Sequence, residues 1–166
     1  GMRLVEATLA EPYVKAYDSL EPGGPARWAQ RFDVSNWGFF QAADAGRPVG
    51  GAVVAFRCPQ IHMLAGRNDL AVLWDIRVHP SRRGEGIGTA LLHHAADWVR
   101  ARGCTQLKIE TQNVNVPACR FYAARGCRLA AIDRHAYTDP RVAHETMLTW
   151  LLDLSSALAY VWHCPS

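Results

Sequence analysis

Apolar and polar positions change period several times along the chain, and each change marks an element. RLVEAT, residues 3–8, predicts a short first strand. Residues 11–20 predict a helix that the breaker EPGGP ends. A second short helix is expected from Ala26 to Phe32. WGFFQAAD (37–44) and VGGAVVAFR (49–57) flank the turn Asp44-Ala45-Gly46-Arg47-Pro48 and predict a hairpin. Residues 58–68, with Pro59, Gly66 and Asn68, read as a loop. DLAVLWDIRVH (69–79) is the strongest strand pattern, apolar enough to lie inside a sheet, and Pro80 stops it.

The period then becomes helical. Ile87, Leu91, Ala95 and Trp98 form one apolar stripe, which predicts a helix from Gly86 to Arg102, and Gly103 suits its C-terminal end. TQLKIET (105–111) is a further strand. Pro117 suits the first turn of a helix running to Arg125, where Gly126 ends it. CRLAAIDRHAY (127–137) and HETMLTWLL (144–152) predict two closing strands with Pro140 in the loop between them. The tail 153–166 has no clear pattern. A strand–helix–strand–helix centre between antiparallel strands predicts a mixed α/β domain, and no linker divides it. Gly1 ahead of Met2 reads as an addition, so the single domain is drawn over residues 2–166.

Composition changes this picture little. The 166 residues are 49% hydrophobic and 20% charged, an ordinary globular mixture. No apolar run approaches the roughly 20 residues needed to span a bilayer, so no membrane association is expected. Arg3 and Glu6 interrupt the first apolar residues, and no secretory signal is read there. The net charge of +3, without a basic run, permits an anionic ligand but predicts no nucleic-acid partner. Five cysteines lack C-x-x-C spacing and read as buried thiols of a reducing cytoplasm. No metal site is expected: the adjacent His93 and His94 would point about 100° apart on a helix.

The candidate chemistry lies in RRGEGIGTALLHHAADW, residues 82–98. Glycines at 84, 86 and 88 precede a helix whose N-terminus carries unpaired N–H groups and partial positive charge. With Arg82 and Arg83 at the rim, the turn suits a phosphate or pyrophosphate. A dinucleotide fingerprint would need glycine where Leu91 stands, and a P-loop would need a lysine that is absent.

VHPSRRGEGIGTALL resembles the coenzyme-A signature of the GNAT acyltransferases, here Arg83-Gly84-Glu85-Gly86-Ile87-Gly88. NVPACRFYAARG resembles that family's second motif through Asn115, Ala118, Phe121-Tyr122 and Gly126, with Cys127 where the family usually has phenylalanine. LWDIRV, ETQNVNVPACRFYA, AIDRHAY and ETMLTW further resemble the streptothricin acetyltransferases within that superfamily. The likeness runs from about residue 72 to 152, and the first 68 residues show little of it.

The resemblance implies a single-domain GNAT fold: a mixed central sheet of about six to seven strands, flanked by about four helices and splayed between its two central parallel strands. It implies acetyl-CoA as co-substrate and a small-molecule amine as acceptor. The cofactor-binding residues would be Arg77, Val78, Arg83, Gly84, Glu85, Gly86, Ile87, Gly88, Thr89 and Asn115, with a main-chain N–H near Arg77–Val78 meeting the thioester. Tyr122 would be the general acid; a phenol with a pKa near 10 keeps its proton at neutral pH. Asp75 or Glu110 could take the amine's proton or attract its charge, with Asp75 preferred, and Asp133 would add to the acceptor wall. The reaction expected is acetylation of a primary amine on a small cationic molecule, of the streptothricin kind. A lysine or N-terminal amine of a protein is the alternative acceptor, and a non-catalytic acetyl-CoA-binding module the alternative class. A homodimer is left open.

Overall fold

A computed structural model describes residues 5–8, 13 and 24–155. A 3-10 turn, Gly24–Arg27, leads into the one-turn helix α1 (Trp28–Arg31). The hairpin β1 (Gly38–Asp44) and β2 (Arg47–Ala55) follows, then β3 (Leu70–Val78). Helix α2 (Ile87–Arg100), β4 (Gln106–Gln112) and α3 (Val116–Ala123) make the centre, and β5 (Arg128–Asp133) and β6 (Met147–Asp153) close the described chain. The six strands lie in the order β1-β2-β3-β4-β6-β5, so the last strand inserts beside β4. Only β3 and β4 are parallel.

Several expectations change. Residues 5–8 carry no strand; Glu6 instead pairs with Arg120 on α3. The helix expected over 11–20 lies outside the described residues apart from Tyr13, which is in no regular element. The described helices therefore number three. The segment Ala26–Phe32 is a 3-10 turn and a single α-turn, because Phe32 leaves in extended conformation. The strand expected over 127–137 ends at Asp133, where the carboxylate accepts the His135 N–H and turns the chain.

One core lies between the sheet and α2, with Leu92, Val99, Leu107, Ile109 and Leu148 all but sealed from solvent. Gly50 lets α2 lie close on β2. A Cβ there would stand 2.8 Å from the Arg77 carbonyl oxygen and 3.3 Å from Ile87 and Leu91. The opposite face of β2–β3 carries an aromatic cluster in which Trp37 and Trp74 centroids lie 5.6 Å apart and Phe32 and Trp74 5.4 Å apart.

Two irregularities position the site. β3 and β4 pair only from Leu70–Gln106 to Leu73–Ile109. Beyond that, β3 stays with β2 and β4 stays with β6, so the parallel pair opens into a wedge. At the same level Val53 opposes Asp75 while Val54 opposes Leu73, which makes Trp74 a bulge. The extra residue shifts the alternation. Ala71 and Leu73 face α2 before it, Ile76 and Val78 after it, so Asp75 and Arg77 fall on the aromatic face. Regular alternation would have placed them with Leu73, under α2.

Candidate active site

A cleft of about 1530 Å³ runs through the wedge, from the N-terminus of α2 to the loop after β5. Its first mouth is the glycine turn. Gly84 and Gly86 adopt φ of +86° and +83°, the left-handed region that favours glycine. Gly86 caps α2 through its carbonyl, which accepts the Ala90 N–H at 3.0 Å, and no side chain caps this end. The N–H groups of Ile87, Gly88 and Thr89 therefore point outward as anion donors. Gly88 also clears the way for α3: a Cβ there would lie 3.3 Å from the Phe121 ring.

The charges at this mouth divide in a way the sequence does not reveal. Arg82 is held by Glu85 at 2.8 Å and by Asp44 at 2.9 Å. Among the described residues no carboxylate pairs with Arg83, which lines the cleft while Glu85 does not. Arg125 also reaches this mouth. It donates to Thr89 Oγ1 at 2.8 Å and to the Phe121 carbonyl at 2.9 Å, and its guanidinium lies 3.8 Å from the Phe121 ring centroid. Reading Arg125 only as the last residue of a helix missed it.

Inside the wedge the main chain supplies donors. The His79 N–H bonds the Val49 carbonyl at 2.8 Å, one step beyond the Gly50–Val78 pair. Bonded and non-bonded pairs alternate in an antiparallel ladder, so Arg77 and Asp75 also bond to β2. Ile76 and Val78 then turn their N–H groups away from β2, into the wedge. Tyr122 enters from the α2 side. Its ring is buried in the main core and meets Phe121 edge-on at a 5.1 Å centroid distance, and the residue lines the cleft. Asn115 lines it too, but its Oδ1 is engaged in capping α3 through the Ala118 N–H at 3.2 Å.

The carboxylates enter from the other face. On β4, Leu107 and Ile109 point into the main core, so Glu110 shares the face opposite α2 with Asp75. The two differ in surroundings. Asp75 lies in an ion pair with Arg77, whose Nε is 2.9 Å and 3.1 Å from the two carboxylate oxygens. Glu110 meets neutral donors: Tyr137 Oη at 2.7 Å and Gln112 Nε2 at 3.4 Å, both on Oε1. Among the described residues none bonds Oε2. Tyr137 also accepts from Gln112 Nε2 at 2.8 Å, and burial, then the Glu110 charge, push its phenol well above the ordinary tyrosine range.

Asp133 sits at the exposed end of the edge strand β5 and does not line the cleft. Two later residues are more enclosed. Tyr137 lines the cleft. Glu145, a carboxylate only 1% exposed, accepts the Tyr13 hydroxyl next to it. Both lie in stretches whose likeness to the streptothricin acetyltransferases is visible in the sequence, AIDRHAY and ETMLTW. What the sequence lacks is the chain reversal after Asp133 that carries Tyr137 back to β4. Among the described residues no group of side chains forms a metal site, and no helix is long and apolar enough to cross a membrane.

Residues 5–127 match the model of the acetyltransferase (GNAT) family. The chain is 35% identical over 91 residues to streptothricin acetyltransferase A of Bacillus subtilis, covering 55% of this chain and 53% of that protein. It thus spans about half the length of that relative. With the streptothricin acetyltransferase of Streptomyces lavendulae it shares 31% identity over 137 residues, 82% of this chain and 68% of the other. With the ribosomal protein bS18-alanine N-acetyltransferase of Escherichia coli it shares 32% over 120 residues, 69% and 74%. Among solved structures, nourseothricin acetyltransferase superposes with a TM-score of 0.62 at 29% identity, covering 74% of this chain and 68% of that one. A Bacillus anthracis acetyltransferase solved with acetyl coenzyme A superposes with a TM-score of 0.66 at 24% identity, over 84% and 71%.

Proposed function

The chain belongs to the acetyltransferase (GNAT) family, and on that premise we propose that it transfers an acetyl group from acetyl-CoA to a primary amine inside the wedge between β3 and β4. The observation that carries this reading is the convergence at one opening. An anion cradle stands at its mouth, main-chain donors line its β3 wall, Tyr122 enters from one face and two carboxylates from the other.

The residues present fit the co-substrate. The N–H groups of Ile87, Gly88 and Thr89, with Arg83 beside them, suit its pyrophosphate. Arg77, Val78 and Gly84 line the same path, and Asn115 flanks it. Acetyl-CoA supplies the acyl group as a thioester, whose C–S bond breaks as the C–N bond forms. The Ile76 and Val78 N–H groups suit the developing oxyanion; one such donor is worth about 3 kcal/mol. Tyr122 gives its proton to the departing sulfur.

The incoming amine must first lose a proton. With a pKa near 10.4, about one lysine-type amine in 2500 is neutral at pH 7. Glu110 suits this task better than Asp75, because its partners are neutral and, among the described residues, none bonds Oε2. Asp75, already matched by Arg77, serves as part of the acceptor wall. A cationic small molecule of the streptothricin kind is the acceptor this wall suits, in keeping with the named relatives. The second reading, an N-terminal alanine of a protein, is favoured by the bS18-alanine relative.

A CoA-release assay with streptothricin, spermidine and an alanyl peptide separates these. Fastest turnover with streptothricin supports the small-molecule reading, and fastest turnover with the peptide replaces it. Tight acetyl-CoA binding without turnover on any amine would point to a non-catalytic module.

A further inference from the structure

We infer that Tyr137 is a positioning residue, which holds the Glu110 carboxylate by Oε1 so that Oε2 faces the acceptor amine. The inference rests on the reading of Glu110 as the proton acceptor and adds a residue to it. An unrestrained glutamate rotates about its terminal torsion, which is broad and roughly two-fold. Here both hydrogen bonds fall on one oxygen: the Tyr137 hydroxyl at 2.7 Å and the Gln112 amide at 3.4 Å. Gln112 also donates to the Tyr137 oxygen at 2.8 Å, so the phenol hydrogen is directed toward Glu110 rather than back to Gln112. The three side chains bond one another, and among the described residues none bonds Oε2.

The groups around it maintain that polarity. Asp75 and Arg77 lie across the wedge on β3 as an ion pair. Lys108, two residues back on the same face of β4, is turned away to the Met63 carbonyl at 2.6 Å. Asp139 is held by Arg141, and its carboxyl is lowered to about 2 by that contact. Glu145 lies close enough to Tyr137 for its charge to oppose loss of the phenol proton. Tyr137 is half-buried, and burial, then the Glu110 charge, with Glu145 adding to it, raise its phenol above the ordinary tyrosine range, so the donor to Oε1 keeps its proton at neutral pH.

Two measurements test this. Tyrosine ring-carbon NMR over pH 8–12 in the intact protein should show one resonance, absent from Tyr137→Phe, that titrates well above the ordinary value of about 10. In Glu110→Gln, that resonance should titrate at lower pH. Normal titration of Tyr137, or no response to Glu110→Gln, overturns the inference. In the CoA-release assay, with whichever of the three amines reacts fastest, Tyr137→Phe should lower kcat about tenfold with the KM for acetyl-CoA unchanged. In the Glu110→Gln background it should cause no further loss. Independent, multiplying losses, or wild-type kcat in Tyr137→Phe alongside an impaired Glu110→Gln, overturn the positioning role and leave the Glu110 reading standing. A silent Glu110→Gln overturns both.

Discussion

Tyr122 and Glu110 reach the wedge from opposite faces of the sheet, and the proposed function sets them as proton donor and proton acceptor on either side of the reacting atoms. Tyr122→Phe keeps the buried ring and removes only the hydroxyl. Turnover should fall about 10- to 1,000-fold while acetyl-CoA affinity, measured by calorimetry, stays within about twofold. Wild-type turnover would mean that water protonates the thiolate. Asp75→Asn acts differently, because it removes the carboxylate that the Arg77 Nε holds on the wall proposed for a cationic acceptor. It should raise the acceptor KM several-fold with kcat nearly kept, whereas Glu110→Gln should lower kcat. The reverse pattern in steady-state kinetics would return the proton-accepting role to Asp75. The sequence brought both carboxylates into view, since each lies on a strand within a recognisable motif. It could not rank them. The rank depends on which side chain stands beside each, and Tyr137 reaches Glu110 from 27 residues away.

Helix α2 and strand β3 carry the local logic of the site. The glycine turn was legible because its three glycines and following apolar stripe are contiguous. The structure adds the reason for Gly86: its φ of +83° places it as the helix cap, with nothing within 4 Å of where a Cβ would be. Valine there fits spatially in the protein but is strained by about 1–3 kcal/mol, and it would turn the Ile87–Thr89 N–H groups aside. Gly86→Val should weaken acetyl-CoA binding more than tenfold in a protein that still folds. Unchanged affinity by calorimetry would remove the pyrophosphate from this turn. The Trp74 bulge was not legible. DLAVLWDIRVH reads as one continuous apolar strand, and a single extra residue in a ladder leaves no compositional trace. The order of the last strands was equally hidden, because insertion of β6 between β4 and β5 is a tertiary choice that neither segment's pattern expresses.

At the scale of the whole molecule, the sheet is a hairpin-led half and a closing half joined by one short parallel contact, Leu70–Leu73 against Gln106–Ile109. Its brevity makes the cleft, and the chemistry needs that cleft: one end suits an anion, the other a cation. The rate with a cationic amine should therefore rise with pH as the neutral amine becomes more abundant, since the proton must be gone before attack. The rise should be steeper in Glu110→Gln, where solution base replaces the internal acceptor, and parallel pH–rate profiles would contradict that role. Acetyl transfer to an amine is proposed to take place in this wedge. Mass spectrometry of streptothricin after incubation with acetyl-CoA, run beside CoA release, tests it most directly. One acetyl group should be gained per CoA released, with both rates falling together in Glu110→Gln. CoA release with no acetylated amine, or an acetylated product formed equally well by the variant, would contradict it.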